Sequence, residues 1–104
     1  MKIFILGEGH MGSWLIEEFC LNHEVAIFDP DKEKMKYFFN VKRCFELSEI
    51  KEFAPEIVIN AVNLNKTIEV FDSTLPYLST SCILADIASV KSGLYEYYQK
   101  IGRD

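Results

Sequence analysis

The chain has 104 residues, of which 49% are hydrophobic and 26% are charged, and its formal net charge is −5 at pH 7. This length predicts one domain with an ordinary hydrophobic core. The acidic balance, with no compensating block of Lys or Arg, argues against nucleic acid or an anionic membrane surface as a partner. No apolar segment approaches the ~20 residues of a membrane-spanning helix, and the sequence opens without signal-peptide features, so we expect a cytoplasmic protein.

The three cysteines, Cys20, Cys44 and Cys82, lie far apart and form no C-x-x-C pair. Their spacing therefore indicates neither a zinc site nor a redox pair, and no metal site is predicted. Each cysteine stands among apolar residues. We expect reduced thiols that pack as small hydrophobic side chains.

Short apolar segments alternate with helical patterns along the chain. Continuous β-branched segments, which are typical of strands covered on both faces, occur at 2–6, 24–28, 56–62 and 82–87, with a weaker edge strand at 41–44. Helices are predicted over 11–22, 31–39, 65–78 with a break at Pro76, and 92–100, with a short helix from an N-cap at Ser48 to Pro55. This order predicts one Rossmann-type α/β domain over 1–104, a doubly wound parallel sheet of about five strands in the order 3-2-1-4-5.

The first predicted strand runs into a glycine-rich turn, Gly7-Glu8-Gly9-His10-Met11-Gly12, that opens the first predicted helix. In this setting the G-x-G-x-x-G pattern indicates a dinucleotide site. Gly7 permits the tight turn, Gly9 lets a pyrophosphate approach the main chain, and Gly12 lets the helix pack close to the strand. His10 and Met11 stand at the helix start, whose N–H groups attract phosphate; His10 is a candidate ligand contact or an exposed loop residue.

An acid stands where the motif requires one. Asp29 ends the second predicted strand about 20 residues after the glycines, in position to accept hydrogen bonds from the adenosine ribose. A carboxylate there repels a 2′-phosphate, and residues 29–36 contain no Arg. The predicted cofactor is therefore NAD, with NADP less favoured and kept open by Lys32.

A second unusual segment, Ala85 to Gly93, reads ADIASVKSG and follows the last predicted strand. It places a carboxylate (Asp86), a hydroxyl (Ser89) and an ammonium group (Lys91) at the carboxyl edge of the sheet, where ligands bind in such folds. Asp86 is therefore a candidate cofactor contact. By spacing alone, a helix-capping loop remains an alternative.

The glycine turn with Met before its third glycine, the acid after strand two and the D-x-x-S-V-K segment resemble the prephenate dehydrogenases, the TyrA-type enzymes of tyrosine biosynthesis. The resemblance covers nearly the whole chain as their N-terminal NAD-binding domain. It implies an oxidoreductase in which Ser89 is catalytic, beside the ring hydroxyl of a small cyclic carboxylate substrate. It also implies that Ala61, Val62 and Asn63 lie near the nicotinamide ribose.

The sequence departs from that family after the D-x-x-S-V-K segment. The catalytic histidine of an H-P-M-F-G-like motif and the helical substrate and dimerisation domain do not occur before Asp104. We therefore expect an isolated, inactive cofactor domain that self-associates weakly through partly uncovered Tyr95, Tyr97, Tyr98 and Ile101. Two alternatives remain: a stand-alone nucleotide-sensing regulatory module, and the cofactor domain of another dehydrogenase of 3-hydroxyacid or arogenate type.

Overall fold

A computed structural model describes residues 1–7, 10–29, 32–37, 40–61, 67–86 and 94–102. In this part of the chain, five strands form one parallel sheet in the order β3-β2-β1-β4-β5. The strands are β1 (Lys2–Leu6), β2 (Glu24–Phe28), β3 (Lys42–Arg43), β4 (Ile57–Asn60) and β5 (Ile83–Asp86). The predicted parallel sheet and its strand order are confirmed.

Four α-helices connect or follow these strands within the described residues: α1 (His10–Phe19), α2 (Glu49–Phe53), α3 (Thr67–Thr74) and α4 (Leu94–Ile101). The break predicted at Pro76 is confirmed, since α3 ends at Thr74 and continues as a 3₁₀ helix, Leu75–Tyr77. The helix predicted over 31–39 is present over Lys32–Tyr37 as a 3₁₀ helix, and the remaining positions of that range lie outside the described residues. Of its side chains that are described, only that of Met35 is buried, so packing offers little support for a longer α-helix.

Ser48 stands at the N-cap position of α2, as predicted, but it does not cap the helix with its side chain. Ser48 has helical backbone angles, and within the described residues its side chain makes no capping hydrogen bond. The Glu49 carboxylate instead accepts hydrogen bonds from the main-chain N–H groups of Phe45, at 2.5 Å, and Glu46, at 3.2 Å. The Glu49 side chain, which is longer than that of Ser48, thus provides the hydrogen-bond acceptor for the N–H groups of the turn before α2.

The sheet is covered on both faces, as its continuous apolar strands predicted. One face packs alternate residues of β1, β2 and β4 against α1 and the 32–37 helix, and the other packs the intervening residues against α2 and α3. The first core includes Ile3, Ile5, Ile16, Val25, Ile27, Met35 and Ile59, and the second includes Phe4, Leu6, Ala26, Ile50, Phe53 and Val58.

The cysteines pack as small hydrophobic side chains, as expected from the sequence. Cys44 and Cys82 are buried in the second core, Cys20 is half-buried, and none of the three forms a disulfide among the described residues. Burial, and then the neighbouring carboxylate of Glu49, raise the pKa of the Cys44 thiol to about 11. This thiol is therefore an inert core group at neutral pH.

Helix α4 packs on α3 through three aromatic rings, Phe71, Tyr97 and Tyr98, called here the α3–α4 aromatic cluster. Phe71 is completely buried, and its ring lies 6.0 Å from that of Tyr97 and 5.8 Å from that of Tyr98. The expectation of partly uncovered residues is wrong for Tyr97, which is buried by this stacking and by a hydrogen bond to Asp72. Tyr98 and Ile101 are half-buried, and the side chain of Tyr95 lies outside the described residues.

Across the described ranges, no helix is long and apolar enough to cross a membrane. The same ranges hold no group of three His, Cys, Asp or Glu side chains that could bind a metal ion.

Candidate functional site

The carboxyl ends of four strands lie level with one another. Leu6, the last residue of β1, pairs with Phe28 on one side and with Asn60 on the other, and Asn60 pairs with Asp86. Gly7, Asp29 and Ala61, which directly follow three of these strand ends, and Asp86 itself therefore border a single edge of the sheet. Most of the sequence-predicted site residues that the structure describes stand at this edge.

Gly7 directly follows β1 at the centre of this edge. Its φ of +85° is in the left-handed region, which favours glycine because a Cβ would clash with the main chain there. Its N–H donates a 2.9 Å hydrogen bond to the carbonyl of Phe28, so Gly7 is fixed to the end of β2. The positive φ agrees with the turn predicted at Gly7, whose next two residues lie outside the described part of the chain.

Gly12 allows α1 to approach the end of the sheet closely. A Cβ added at this position would overlap the carbonyl oxygen of Gly7 and lie 3.3 Å from the side chain of Ala61. Only glycine therefore fits between the turn after β1 and the residue after β4. This packing places the N-terminus of α1, whose first N–H groups have no partners within the helix, at the carboxyl edge.

Asp29 borders the glycine turn from the side of β2. It directly follows Phe28, the residue paired with Leu6, and its exposed fraction is only 8%. A carboxylate thus stands one strand away from Gly7, as the sequence predicted. This is the side on which the motif places an adenosine ribose.

Asn60 and Ala61 border the turn from the side of β4. Asn60 is 1% exposed, and the N–H of Ala61 donates a 2.8 Å hydrogen bond to the carbonyl of Leu6. The sequence pattern does not single out Asn60, which stands within the apolar strand predicted over 56–62. Its amide side chain is nevertheless unusual in an apolar strand, because a buried polar group needs a hydrogen-bond partner in the protein or in a ligand. That contrast is the feature of the sequence that points to Asn60.

Asp86 ends β5 and is held by a residue from α4. The Tyr98 hydroxyl donates a 2.6 Å hydrogen bond to Oδ2 of Asp86. Burial, and next this hydrogen bond, raise the pKa of Tyr98 well above its usual value, so the phenol stays a proton donor at neutral pH. The sequence predicts Asp86 at this edge, but nothing in the pattern connects it with Tyr98.

The structure brings Gly7, Gly12, Asp29, Ala61 and Asp86 to one edge of the sheet. Other predicted site residues lie outside the described residues, namely Gly9, Val62, Asn63 and Ser89, together with Lys91. His10 and Met11 begin α1, and their side chains are not described. The binding roles of all these residues stay predictions.

The charge preference of this edge differs between its centre and its two flanks. Main-chain N–H groups and the helix N-terminus occupy the centre, which suits an anion. Carboxylates lie on both flanks, Asp29 after β2 and Asp86 at the end of β5. The arrangement suits a ligand with a negative centre and hydroxyl or cationic groups at its ends.

No protein-family model and no curated protein sequence matches this chain. Its fold is similar to that of solved structures. Arogenate dehydrogenase from Synechocystis matches with a TM-score of 0.82 at 22% identity, over 97% of this chain and 37% of that one. Prephenate dehydrogenase from A. aeolicus, in complex with hydroxyphenyl propionate and NAD+, matches with a TM-score of 0.83 at 18% identity, over 98% of this chain and 38% of that one.

An imine reductase from Myxococcus stipitatus in complex with NADP+ also matches, with a TM-score of 0.83 at 16% identity, over the whole of this chain and 39% of that one. The chain thus spans less than two-fifths of the length of each of these proteins. At these identities the likeness concerns the fold, and at that level it confirms the resemblance to prephenate dehydrogenases. The chain is a Rossmann-type α/β domain whose fold is shared with prephenate and arogenate dehydrogenases and with imine reductases.

Proposed function

We propose that this chain is the NAD-binding domain of a prephenate dehydrogenase-like oxidoreductase. The observation that carries the proposal is the packing of Gly12 on the carbonyl of Gly7, which no other residue type permits. This packing holds a helix N-terminus at the carboxyl edge, where a pyrophosphate binds in folds of this kind. The fold shared with dehydrogenases supports the same role.

The side chain of Asp29 supports NAD rather than NADP. A buried carboxylate next to the glycine turn can accept hydrogen bonds from both ribose hydroxyls, and it disfavours a 2′-phosphate by charge repulsion. We therefore propose that the adenosine half of the dinucleotide lies over the end of β2. The phosphates then lie over Gly7 and the start of α1.

The segment from Asp86 to Lys91 supports the finer assignment to prephenate oxidation. A bound NAD+ would supply the hydride acceptor for the ring carbon that bears the substrate hydroxyl. A base would take the hydroxyl proton, and the electron pair of the bond to the departing carbon dioxide would enter the ring and make it aromatic. We propose that Ser89 orients that hydroxyl. A serine with an ordinary alcohol pKa positions a proton but does not remove it, so the base is another group.

We further propose that these 104 residues bind dinucleotide without oxidising prephenate at an ordinary enzyme rate. Holding both reactants in place accounts for roughly 7–11 kcal/mol of such a barrier. This chain spans 37% and 38% of the two solved dehydrogenases described above, and we assign it the cofactor side alone.

Titration calorimetry with NAD+ and NADP+ tests the proposed binding. We expect NAD+ to bind more tightly, and Asp29→Asn to weaken NAD+ binding about tenfold or more, since hydrogen bonds to a charged acceptor are lost. The matched control is Glu24→Gln, which removes the same charge from the exposed amino end of the same strand. It should leave both affinities unchanged.

Two sets of results would contradict these proposals, one for binding and one for catalysis. Absence of dinucleotide binding, or equal effects of Asp29→Asn and Glu24→Gln, would contradict the proposed site. For catalysis, the measurement is the appearance of NADH from NAD+ and prephenate as the protein concentration is varied. Steady turnover that Ser89→Ala abolishes would contradict the proposed inactivity of the isolated chain and would support the role of Ser89.

A further inference from the structure

Two adjacent tyrosines of α4 each donate a hydrogen bond from the hydroxyl group to the carboxylate of a different aspartate. Tyr97 donates a 2.7 Å hydrogen bond to Asp72, and Tyr98 donates a 2.6 Å hydrogen bond to Asp86. Both rings pack against Phe71. The pairs differ in their acceptor, because Asp72 lies on the exposed surface of α3, whereas Asp86 ends β5 at the candidate site.

Asp86 lies on the side of the glycine turn opposite to Asp29. In the sheet order, β2 with Asp29 is one strand from β1, and β5 with Asp86 is two strands away in the other direction. Three strand spacings separate β2 from β5, a distance of ~14 Å. A dinucleotide with its adenosine ribose at Asp29 and its phosphates at Gly7 must therefore extend its nicotinamide half past Asn60 toward Asp86.

We propose that Tyr98 is a positioning residue that holds the Asp86 carboxylate toward the nicotinamide half of the dinucleotide, where this charge favours the oxidised cofactor. The inference rests on the proposed function and deepens it. The nicotinamide ring carries a positive charge in NAD+ and none in NADH. A fixed carboxylate on that side therefore stabilises the bound oxidised form more than the reduced one.

The aromatic packing explains how Tyr98 can fix this charge. Its ring is held by Phe71, at 5.8 Å between centroids, and by Tyr97, at 6.2 Å, so its hydroxyl has little freedom to leave Asp86. The 2.6 Å distance is in the range of hydrogen bonds from a hydroxyl to an ionised carboxylate. The carboxylate is thereby oriented before the ligand binds.

Calorimetry with NAD+, NADH and ADP-ribose tests the inference, since ADP-ribose has the adenosine and phosphate groups but no nicotinamide. We expect Tyr98→Phe, which keeps the ring, to weaken NAD+ binding by about 3- to 10-fold, because the Asp86 carboxylate loses the hydrogen bond that orients it before the ligand binds. The affinity for ADP-ribose should not change, and the ratio of the affinity for NAD+ to that for NADH should decrease. Tyr97→Phe is the matched control and should behave as the wild-type chain with all three ligands.

Asp86→Asn provides a second, independent variant that leaves the packing of α4 in place. It should weaken NAD+ binding at least as much as Tyr98→Phe and should leave ADP-ribose binding unchanged. In the double variant, Tyr98→Phe should add no further loss, because its effect is exerted through the Asp86 charge. If Tyr98→Phe does not fold, a loss confined to NAD+ in Asp86→Asn supports the proposal, and an unchanged NAD+ affinity overturns it.

Other outcomes identify which proposal is wrong. If the wild-type chain binds ADP-ribose and NAD+ but Tyr98→Phe and Tyr97→Phe have the same affinities, the positioning role of Tyr98 is overturned and the proposed binding site stands. Equal losses of ADP-ribose and NAD+ affinity in Tyr98→Phe would also overturn it, by showing a general structural effect. If the wild-type chain binds none of the three ligands, both proposals are overturned.

Discussion

The two halves of the sheet meet at β1 and form the candidate site by different means. On the β2 side, the site is made largely of main chain: the turn at Gly7, its hydrogen bond to Phe28, and the approach of α1 at Gly12. On the β4 and β5 side it is made of polar side chains, with Asp86 fixed by a tyrosine from a later helix. A site at the same edge thus depends on backbone geometry in one half and on tertiary packing in the other.

This difference determines which changes each half tolerates. The glycine half fails when a side chain is added, because there is no space for even one methyl group at Gly12. The other half fails when a side chain is removed, because Tyr98 reaches Asp86 only while α4 is packed on Phe71. Substitutions of opposite kinds should therefore separate the two halves.

The largest expected effect is on the β4–β5 half, from Phe71→Ala. Phe71 is completely buried beneath both tyrosines, so its removal should lower the free energy of unfolding by about 3–5 kcal/mol. Urea denaturation measures this change. Phe45→Ala is the control, since Phe45 is 48% exposed and its loss should cost much less. Equal costs for the two variants would show that α4 does not depend on the aromatic cluster.

Gly12→Ala should damage the glycine half by adding a single methyl group. Because that methyl group meets the carbonyl of Gly7 and the side chain of Ala61, we expect a loss of about 2–3 kcal/mol of stability and weaker NAD+ binding. Gly102→Ala is the matched control. Gly102 has a φ of +76° but no atom within 4 Å of an added Cβ, so the change should cost about 1 kcal/mol. A smaller loss at Gly12 than at Gly102 would contradict the close packing of α1.

Raising the pH should reduce the stability of the chain by a smaller amount, and the glycine half should respond at a lower pH than the β4–β5 half. The folded-state pKa of Cys44, in the second core beside β3, is raised to about 11 from 9.0. Between these values the unfolded chain releases this proton and the folded chain keeps it, so stability falls as the pH rises, by about 1 kcal/mol between pH 8 and pH 10. The pKa values of Tyr97 and Tyr98 are raised above 10.0, and their contribution is lost at higher pH.

Urea denaturation at pH 8 and pH 10 tests whether Cys44 is the main source of the stability lost in this range. Cys44→Ala should be less stable at pH 8 but should lose less stability between the two pH values than the wild-type chain. Tyr97→Phe should show nearly the wild-type loss over the same range. A pH dependence that is unchanged in Cys44→Ala would exclude the thiol as its source.

The glycine half could be predicted from sequence because the residues that define its motif, Gly7, Gly12 and Asp29, stand at characteristic spacings along one continuous segment. A strand, a turn with Gly7, a helix with Gly12 and an acid at Asp29 follow one another along the chain, and the parallel strand order follows from the same alternation. Continuous apolar segments correctly located the four main strands. These features required no knowledge of how distant side chains pack.

The remaining features depend on packing that leaves no local pattern. Nothing near Tyr98 in sequence indicates that its hydroxyl reaches Asp86, and the burial of Tyr97 depends on Phe71 from another helix. Ser48 has the residue type of an N-cap, but the nearby Glu49 carboxylate binds the N–H groups of that turn. In each case a longer or more distant side chain makes the contact that local preference would assign elsewhere.

The central place of β1 has a consequence for protein synthesis. Of the five described strands, β1 is translated first and lies in the middle of the sheet, and its residue Ile3 pairs with Val25 on one side and with Ile57, 54 residues later, on the other. Until that segment has been translated, one edge of β1 has no strand to pair with, and a nascent chain with such an apolar edge is prone to aggregation. The time needed to translate from β1 to β4 therefore sets how long the growing chain carries this exposed edge.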